Sequence, residues 1–347
     1  MRRHGSLLTS LLIALSLTYN SGVSQAALDA PVDLTNPRIV PLYVSSKGPK
    51  PNFSVEASYS GFLYSSRIVF SAAHSEYYFN NDGSIVNREP PEIYVGLPNS
   101  KSSDLSGIVR VVKRIISKTY RFDGATLDDF VIYVLEKDLI TAEPVALLSP
   151  EIEQELISTR AEIKVHGYGE YKDRCRPGEM LPCSKKDLKT ELPRSLSAIL
   201  KTLAEAEGIV GYKRPQLTGQ LIIANGKPGF GCGGDSGGSI TTTYKGSLMY
   251  IGPTPNGMNG YACGATGYYD GFGGINYSTQ VYKHLEILKE AEKFVSEQIE
   301  LEKAAAEKAA LTTAKNNTKL TITCVKGKSQ KKITAINPKC PKGYKKK

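Results

Sequence analysis

The chain has no tryptophan, and only four methionines and four histidines in 347 residues. Chemistry that needs an imidazole therefore falls to His4, His74, His166 or His284. None of the six cysteines forms a Cys-x-x-Cys pair, and no histidine lies within a few residues of one. The ligand spacing of a zinc site is missing, so no metal is expected. No long apolar run follows residue 17, and the run at 7–17 is too short to cross a bilayer as an ordinary helix. No transmembrane anchor is expected. Acidic residues are absent from 315–347, a stretch holding 11 lysines. The formal net charge is +10, so removing that +11 leaves the rest of the chain at −1. Basicity confined to one end, rather than spread along a groove, argues against a nucleic-acid-binding enzyme.

What is present has the texture of an exported globular protein. Met1-Arg2-Arg3-His4 is a basic start, the apolar run follows, and Ser24 and Ala26 are small residues suited to signal-peptidase cleavage. A signal peptide over 1–26 and a mature start near Ala27 are expected, with the protein secreted or held at the cell envelope. All six cysteines lie beyond that point, which suits an oxidising compartment, although six allow 15 pairings and spacing does not choose among them.

Residues 27–38 are a polar leader containing proline. From 39 to 277 short β-rich runs alternate with turn clusters: 66–70 (SRIVF), 93–96 (IYVG), 108–112 (IVRVV), 130–135 (FVIYVL), 162–166 (EIKVH), 221–224 (LIIA) and 240–244 (ITTTY). This spacing predicts an all-β barrel or sandwich. One helical insertion is expected over 192–207, where Leu and Ala dominate. Gly and Pro are absent from 275 through 326, and Leu285, Leu288, Val295 and Ile299 recur at helical spacing. The first half of that helix is expected to pack on the domain and the rest, 291–317, to project as a spacer. Residues 318–347 form a Lys-rich tail in which Cys324 and Cys340 close a small loop of two strands. Attachment of this basic tail to an anionic cell-surface polymer is a hypothesis.

The sharpest motif is Gly231-Cys232-Gly233-Gly234-Asp235-Ser236-Gly237-Gly238. So many glycines around one serine describe a tight turn that admits a substrate closely. A merely flexible loop would not need Asp-Ser at its centre. The G-x-S-x-G string also fits the nucleophile elbow of an α/β-hydrolase, but an elbow leads into a helix, and 239–244 (SITTTY) is β-branched. That fold also needs a catalytic Asp and then His after the serine. Only His284 follows it, within a helical pattern. The elbow reading fails.

The opposite order is available. His74 ends the run RIVFSAAH at 67–74, and Asp129 immediately precedes the apolar strand FVIYVL, whereas Asp128 reads as a turn residue. His166, in VHGYG, reads as a residue packed beside a strand. With these three motifs the chain resembles the chymotrypsin/trypsin-like serine proteases over about 39–288. The likeness is strongest at the motifs and faint between them.

The resemblance implies two antiparallel β-barrels with the site in the cleft between them, a C-terminal helix closing a protease domain over 39–290, polypeptide substrates and no cofactor. It implies His74 as base, Asp129 as its orienting carboxylate and Ser236 as nucleophile, with the backbone N–H groups of Gly234 and Ser236 forming the oxyanion hole. Cys232 and Cys263 match the bridge that braces the specificity pocket; Cys175 and Cys183 would then close a local loop, leaving Cys324 with Cys340. The pair that usually brackets the catalytic histidine is absent. Phe230 stands where trypsin-like members place an acid, so no preference for Arg or Lys at P1 is expected. Arg38-Ile39-Val40 resembles the zymogen cleavage site whose new Ile amine pairs with the Asp before the nucleophile, here Asp235. The alternative reading is a weak or inactive protease-fold module used for binding or adhesion.

Overall fold

The computed structural model describes residues 30–45, 59–75, 92–123, 125–169, 191–224, 235–254, 256–257, 275–317 and 319–347. Six strands close a barrel: β1 (Ile39–Ser45), β2 (Tyr59–Ser65), β3 (Ile68–Ser71), β4 (Glu92–Val95), β5 (Val109–Ile116) and, after a two-rung ribbon of β6 (Arg121–Phe122) and β7 (Thr126–Leu127), β8 (Val131–Leu135). Strand periodicity explains why β8 is apolar at every position. Val131, Tyr133 and Leu135 point into the barrel with Val40, Leu42, Leu63 and Val69. Phe130, Ile132 and Val134 point outward into a second core with Ile39, Phe62 and Phe70.

That second core is shared with the rest of the domain. β9 (Ala146–Leu147) leads into α1 (Pro150–Thr159), which starts on a Ser149 cap with Pro at its first position and ends at Arg160 in the left-handed region. Then come β10 (Glu162–Gly167), β11 (Arg194–Lys201), α2 (Leu203–Val210), β12 (Leu221–Ala224), β13 (Ser239–Tyr244), β14 (Ser247–Pro253), β15 (Asn256–Gly257) and β16 (Ile275–Ser278). They form an eight-stranded sheet in the order β15-β16-β12-β11-β10-β13-β14-β9, antiparallel except for the β9–β14 pair. Ile163, Val165, Leu200, Ile240 and Tyr250 of this sheet pack on the outer face of the barrel. Tyr250 sits 4.5 Å from the ring of Phe62 and 5.1 Å from that of Phe70, centroid to centroid.

Two expectations need correction. Among the described residues one barrel closes rather than two; the second layer is an open sheet. The helix expected over 192–207 is half strand. Arg194–Lys201 is β11, hydrogen-bonded on both sides by β10 and β12, and only Leu203–Val210 is helical. The helix begins where Thr202 and Glu205 form a reciprocal capping box. Pairing on both flanks overrides the helix preference of Leu and Ala in β11.

α3 (Leu285–Asn317) buries Ile287, Leu288 and Ala291 in the shared core. Polar ties strap it to the barrel. Arg67 holds Glu302 through two 2.8 Å bonds and Asp138 through one of 2.6 Å, Lys113 meets Glu290 at 2.9 Å, and Tyr64 donates to Glu292. Beyond Glu302 the helix is exposed over 303–313. It is followed by a three-stranded sheet with β17 (Leu320–Lys326) between β18 (Ser329–Ala335) and β19 (Lys345–Lys346), joined by the Cys324–Cys340 disulfide. No helix of the described residues is long and apolar enough to cross a membrane.

Candidate functional site

The site forms where the barrel meets the sheet. After β3, Ser71-Ala72 turns into a short helical turn, Ala73–Ser75, which carries His74 to the barrel's rim. The backbone N–H of His74 donates to Asp129 Oδ1 at 2.8 Å, its ring Nδ1 lies 2.5 Å from Asp129 Oδ2, and its Nε2 lies 2.7 Å from Ser236 Oγ. Residues separated by 55 and 162 positions are thus joined in one line. Asp129 is 5 % exposed, whereas Ser236 is half-buried and can be reached from solvent.

Each member is fixed by neighbours. Asp128, in the left-handed region at φ 51°, turns the chain into β8. Its buried carboxylate accepts from Gln220 at 2.9 Å and Arg121 at 3.3 Å. Burial opposes ionisation of Asp128, but the hydrogen bonds from Gln220 and Thr119 and the charges of His284 and Lys283 nearby outweigh it, and its pKa lies below the usual carboxylate value. Behind Asp129, Phe130 stacks on His284, which sits 2.6 Å from Thr279 Oγ1 and 3.3 Å from Ser117 Oγ. His284 is therefore a buried packing residue whose pKa burial lowers.

Ser236 sits in a turn closed by the Gly238 N–H donating to the Asp235 carbonyl at 2.8 Å. The Ser60 N–H donates to the Ser236 carbonyl at 3.0 Å, pinning the turn to β2, and the Ser71 hydroxyl donates to the Ser60 carbonyl. Gly237 has φ +76°, and a Cβ there would stand 1.8 Å from Ser71 Oγ. Only glycine fits. The Asp235 side chain turns inward, where its Oδ1 accepts from the Gly169 N–H at 2.8 Å. A Cβ on Gly167 or Gly169 would collide with that carboxylate at 2.2 and 2.3 Å. The HGYG string at 166–169 is therefore the seat of Asp235.

Burial alone would lower the His74 pKa, but the charge of Asp129 and the hydrogen bond the ring donates to it outweigh burial, so the pKa stands above the ordinary 6.5. Asp129 thus favours a protonated ring, which is the state His74 would reach on accepting a proton from Ser236. The arrangement can remove a proton from a serine hydroxyl and hold it within hydrogen-bond reach of the reacting centre.

Comparison with protein-family models and with curated proteins finds no match for this chain.

The remaining sequence-expected residues divide in two. Gly234, Phe230, Cys232, Cys263, Cys175 and Cys183 lie outside the described residues, as does the segment read as a signal peptide. Ile39 and Asp235 are described, but Ile39 is a fully buried β1 residue opposite Phe62. Residues 30–38 are anchored. Asp33 accepts from the Ser195 hydroxyl, the Thr35 amide and hydroxyl, and Lys164. The His166 ring, 3.6 Å away, together with the Ser195 and Thr35 donors, holds its carboxyl well below the usual range despite burial. Ala30 and Asp235 line one small cavity with His166, Gly167 and Ser195.

Sequence reasoning missed Ser60, Ser71, Gly169 and Gln220. Gly169 carried a signal in the repeated glycine of HGYG. The others make ordinary polar contacts across long sequence separations, which nothing in the chain marks.

Proposed function

We propose that this chain is a secreted serine endopeptidase of the chymotrypsin/trypsin-like kind. The observation that carries the reading is the unbroken hydrogen-bonded line Asp129–His74–Ser236 at a reachable surface. The closed barrel, the inward Asp235 and the seating glycines also support it.

In the proposed reaction Ser236 Oγ attacks a peptide carbonyl carbon while His74 Nε2 takes its proton. Asp129 holds the ring with Nδ1–H toward its own carboxylate and stabilises the imidazolium. The carbonyl electron pair becomes an oxyanion facing the N–H groups of Ser236 and Gly234. Collapse of the intermediate breaks the C–N bond, and His74 passes its proton to the leaving amine. Water then repeats the sequence on the acyl-serine. Losing one oxyanion donor in such a site typically slows turnover about 100- to 1,000-fold. With Phe230 in place of an acid, small or apolar P1 residues are favoured over Arg and Lys.

Incubation of the mature protein with a mixed peptide library, read by mass spectrometry, tests this reading. Cleavage by the wild type that disappears in Ser236→Ala is the expected result. Cleavage that persists in the variant, or a folded wild type that cuts nothing, overturns it.

A further inference from the structure

We propose that the three-stranded module at 319–347 is a docking surface for a flexible linear polyanion carrying single phosphate or carboxylate charges. This inference is independent of the reading of the Ser236 site.

The module holds ten lysines and no acidic residue, and every one of the ten is exposed. Among the described residues none of them forms an ion pair; Lys331 instead lies over the Tyr344 ring at 5.3 Å. The strand register fixes where the charges stand. Lys331 and Lys346 flank Cys324 in one row across the sheet, while Lys345 pairs with Val325 and Lys332 with Thr323 in the adjoining rows. Cross-strand partners share a face and consecutive residues alternate. Lys331 and Lys346 therefore lie on one face, with Lys332 and Lys345 on the other. Neighbouring strands are about 4.8 Å apart, so two lysines in one row stand on the order of 10 Å apart and repel. The module accepts this repulsion with little apolar core of its own, burying Ile322 and Cys324. The Cys324–Cys340 bond ties the second of these to the Tyr344 end of the module.

A lysine or two would protect sheet edges, and a mixed-sign surface would keep the module soluble. Neither purpose calls for ten charges of one sign. The spacer keeps them unneutralised. From Glu302 to Asn317 the helix rises about 22 Å at 1.5 Å per residue, against a screening length of about 8 Å at physiological salt. The acidic residues of the main domain therefore do not quench the module's field.

The chemistry of the surface also selects its partner. The module contains no arginine, so it lacks the planar fork that reads base edges or clamps phosphates bidentately. Its one aromatic, Tyr344, is covered by Lys331 and offers no stacking platform. Leu320 and Ile336 are its only exposed large apolar side chains, too few for insertion into a bilayer. Point charges at repeated spacing suit a flexible polymer with one charge per unit.

The test uses the full chain and compares the wild type with a variant in which Lys326, Lys331, Lys332, Lys345 and Lys346 are all changed to glutamine. Binding is measured to polyphosphate, poly-γ-glutamate, duplex DNA of matched charge, and vesicles containing phosphatidylglycerol, each across a salt series. Each lysine that displaces a counterion contributes about 0.7–0.9 to the log–log salt slope. The variant should lose at least about 100-fold in polymer affinity near 0.1 M salt, and its slope should fall by about 3.5–4.5 units. The five-arginine counterpart should keep its binding, which separates lost charge from lost folding, and a wild-type slope steeper than about −3.5 is expected in any case. Polyphosphate preferred over polyglutamate, or the reverse, identifies the charge bearer. Equal binding by the glutamine variant, a flat salt slope, or tighter binding to DNA or vesicles than to either polymer would overturn the proposal.

Discussion

Replacing Asp129 by asparagine separates the role of the carboxylate from that of its shape. In the wild type one carboxylate oxygen accepts from the His74 backbone N–H at 2.8 Å and the other lies 2.5 Å from ring Nδ1. An asparagine can keep its oxygen toward the backbone N–H, but its NH2 then faces Nδ1. That nitrogen must become an acceptor, so the ring proton moves to Nε2 and points at Ser236, which leaves Nε2 unable to accept the serine proton. The side chain is nearly isosteric, and the backbone hydrogen bond survives. Stability should therefore change little while turnover falls by about 10,000-fold, the size of loss that this tautomer inversion causes in a Ser-His-Asp triad, or about 5.4 kcal/mol of activation free energy. Initial rates on a chromogenic ester, normalised to folded protein by circular dichroism, read this directly. A folded Asp129→Asn protein within tenfold of wild-type turnover would refute the tautomer argument.

Three other outcomes follow from the same geometry. His74 works as a base only when neutral and Asp129 raises its pKa, so kcat/KM should rise with pH through a midpoint above 6.5; a midpoint at or below that value would contradict the pairing. Gly237→Ala must hold alanine at φ +76° against Ser71, Ala72 and Ser60, which should cost about 2–5 kcal/mol and lower both the melting temperature and turnover. Asp33→Ala strips the donors of Ser195, Thr35 and Lys164 of their acceptor, a loss on the order of 2–4 kcal/mol. Because the folded Asp33 carboxyl titrates below its unfolded value of about 3.9, its contribution is complete at neutral pH and fades as pH falls through the acid range. The gap in melting temperature between wild type and variant should accordingly close in acid.

RIVFSAAH, DFVIYVL and the glycine-rich Asp-Ser-Gly run are local strings whose chemistry depends on residue type, and the folded chain brings His74, Asp129 and Ser236 within hydrogen-bond distance of one another. The barrel strand FVIYVL was legible because it is apolar on both faces, as a strand between two cores must be. β11 was not. Its Leu and Ala residues favour helix in isolation, and only pairing with β10 and β12 makes Arg194–Lys201 extended. Arg38-Ile39-Val40 reads as a cleavage motif, and no local pattern shows that Ile39 also opens a strand whose partners at 59–65 lie about twenty residues on. The clamp of Arg67 on Glu302 spans 235 positions between two otherwise ordinary charged residues, and no local pattern announces it.

The most direct measurement is labelling of the mature protein with a fluorophosphonate probe, which reacts with a serine only where a base activates it. Labelling confined to Ser236, lost in Ser236→Ala and strongly reduced in His74→Ala, is the result this account predicts. A folded, correctly processed protein that takes up no probe, or one labelled equally well without His74, would contradict it.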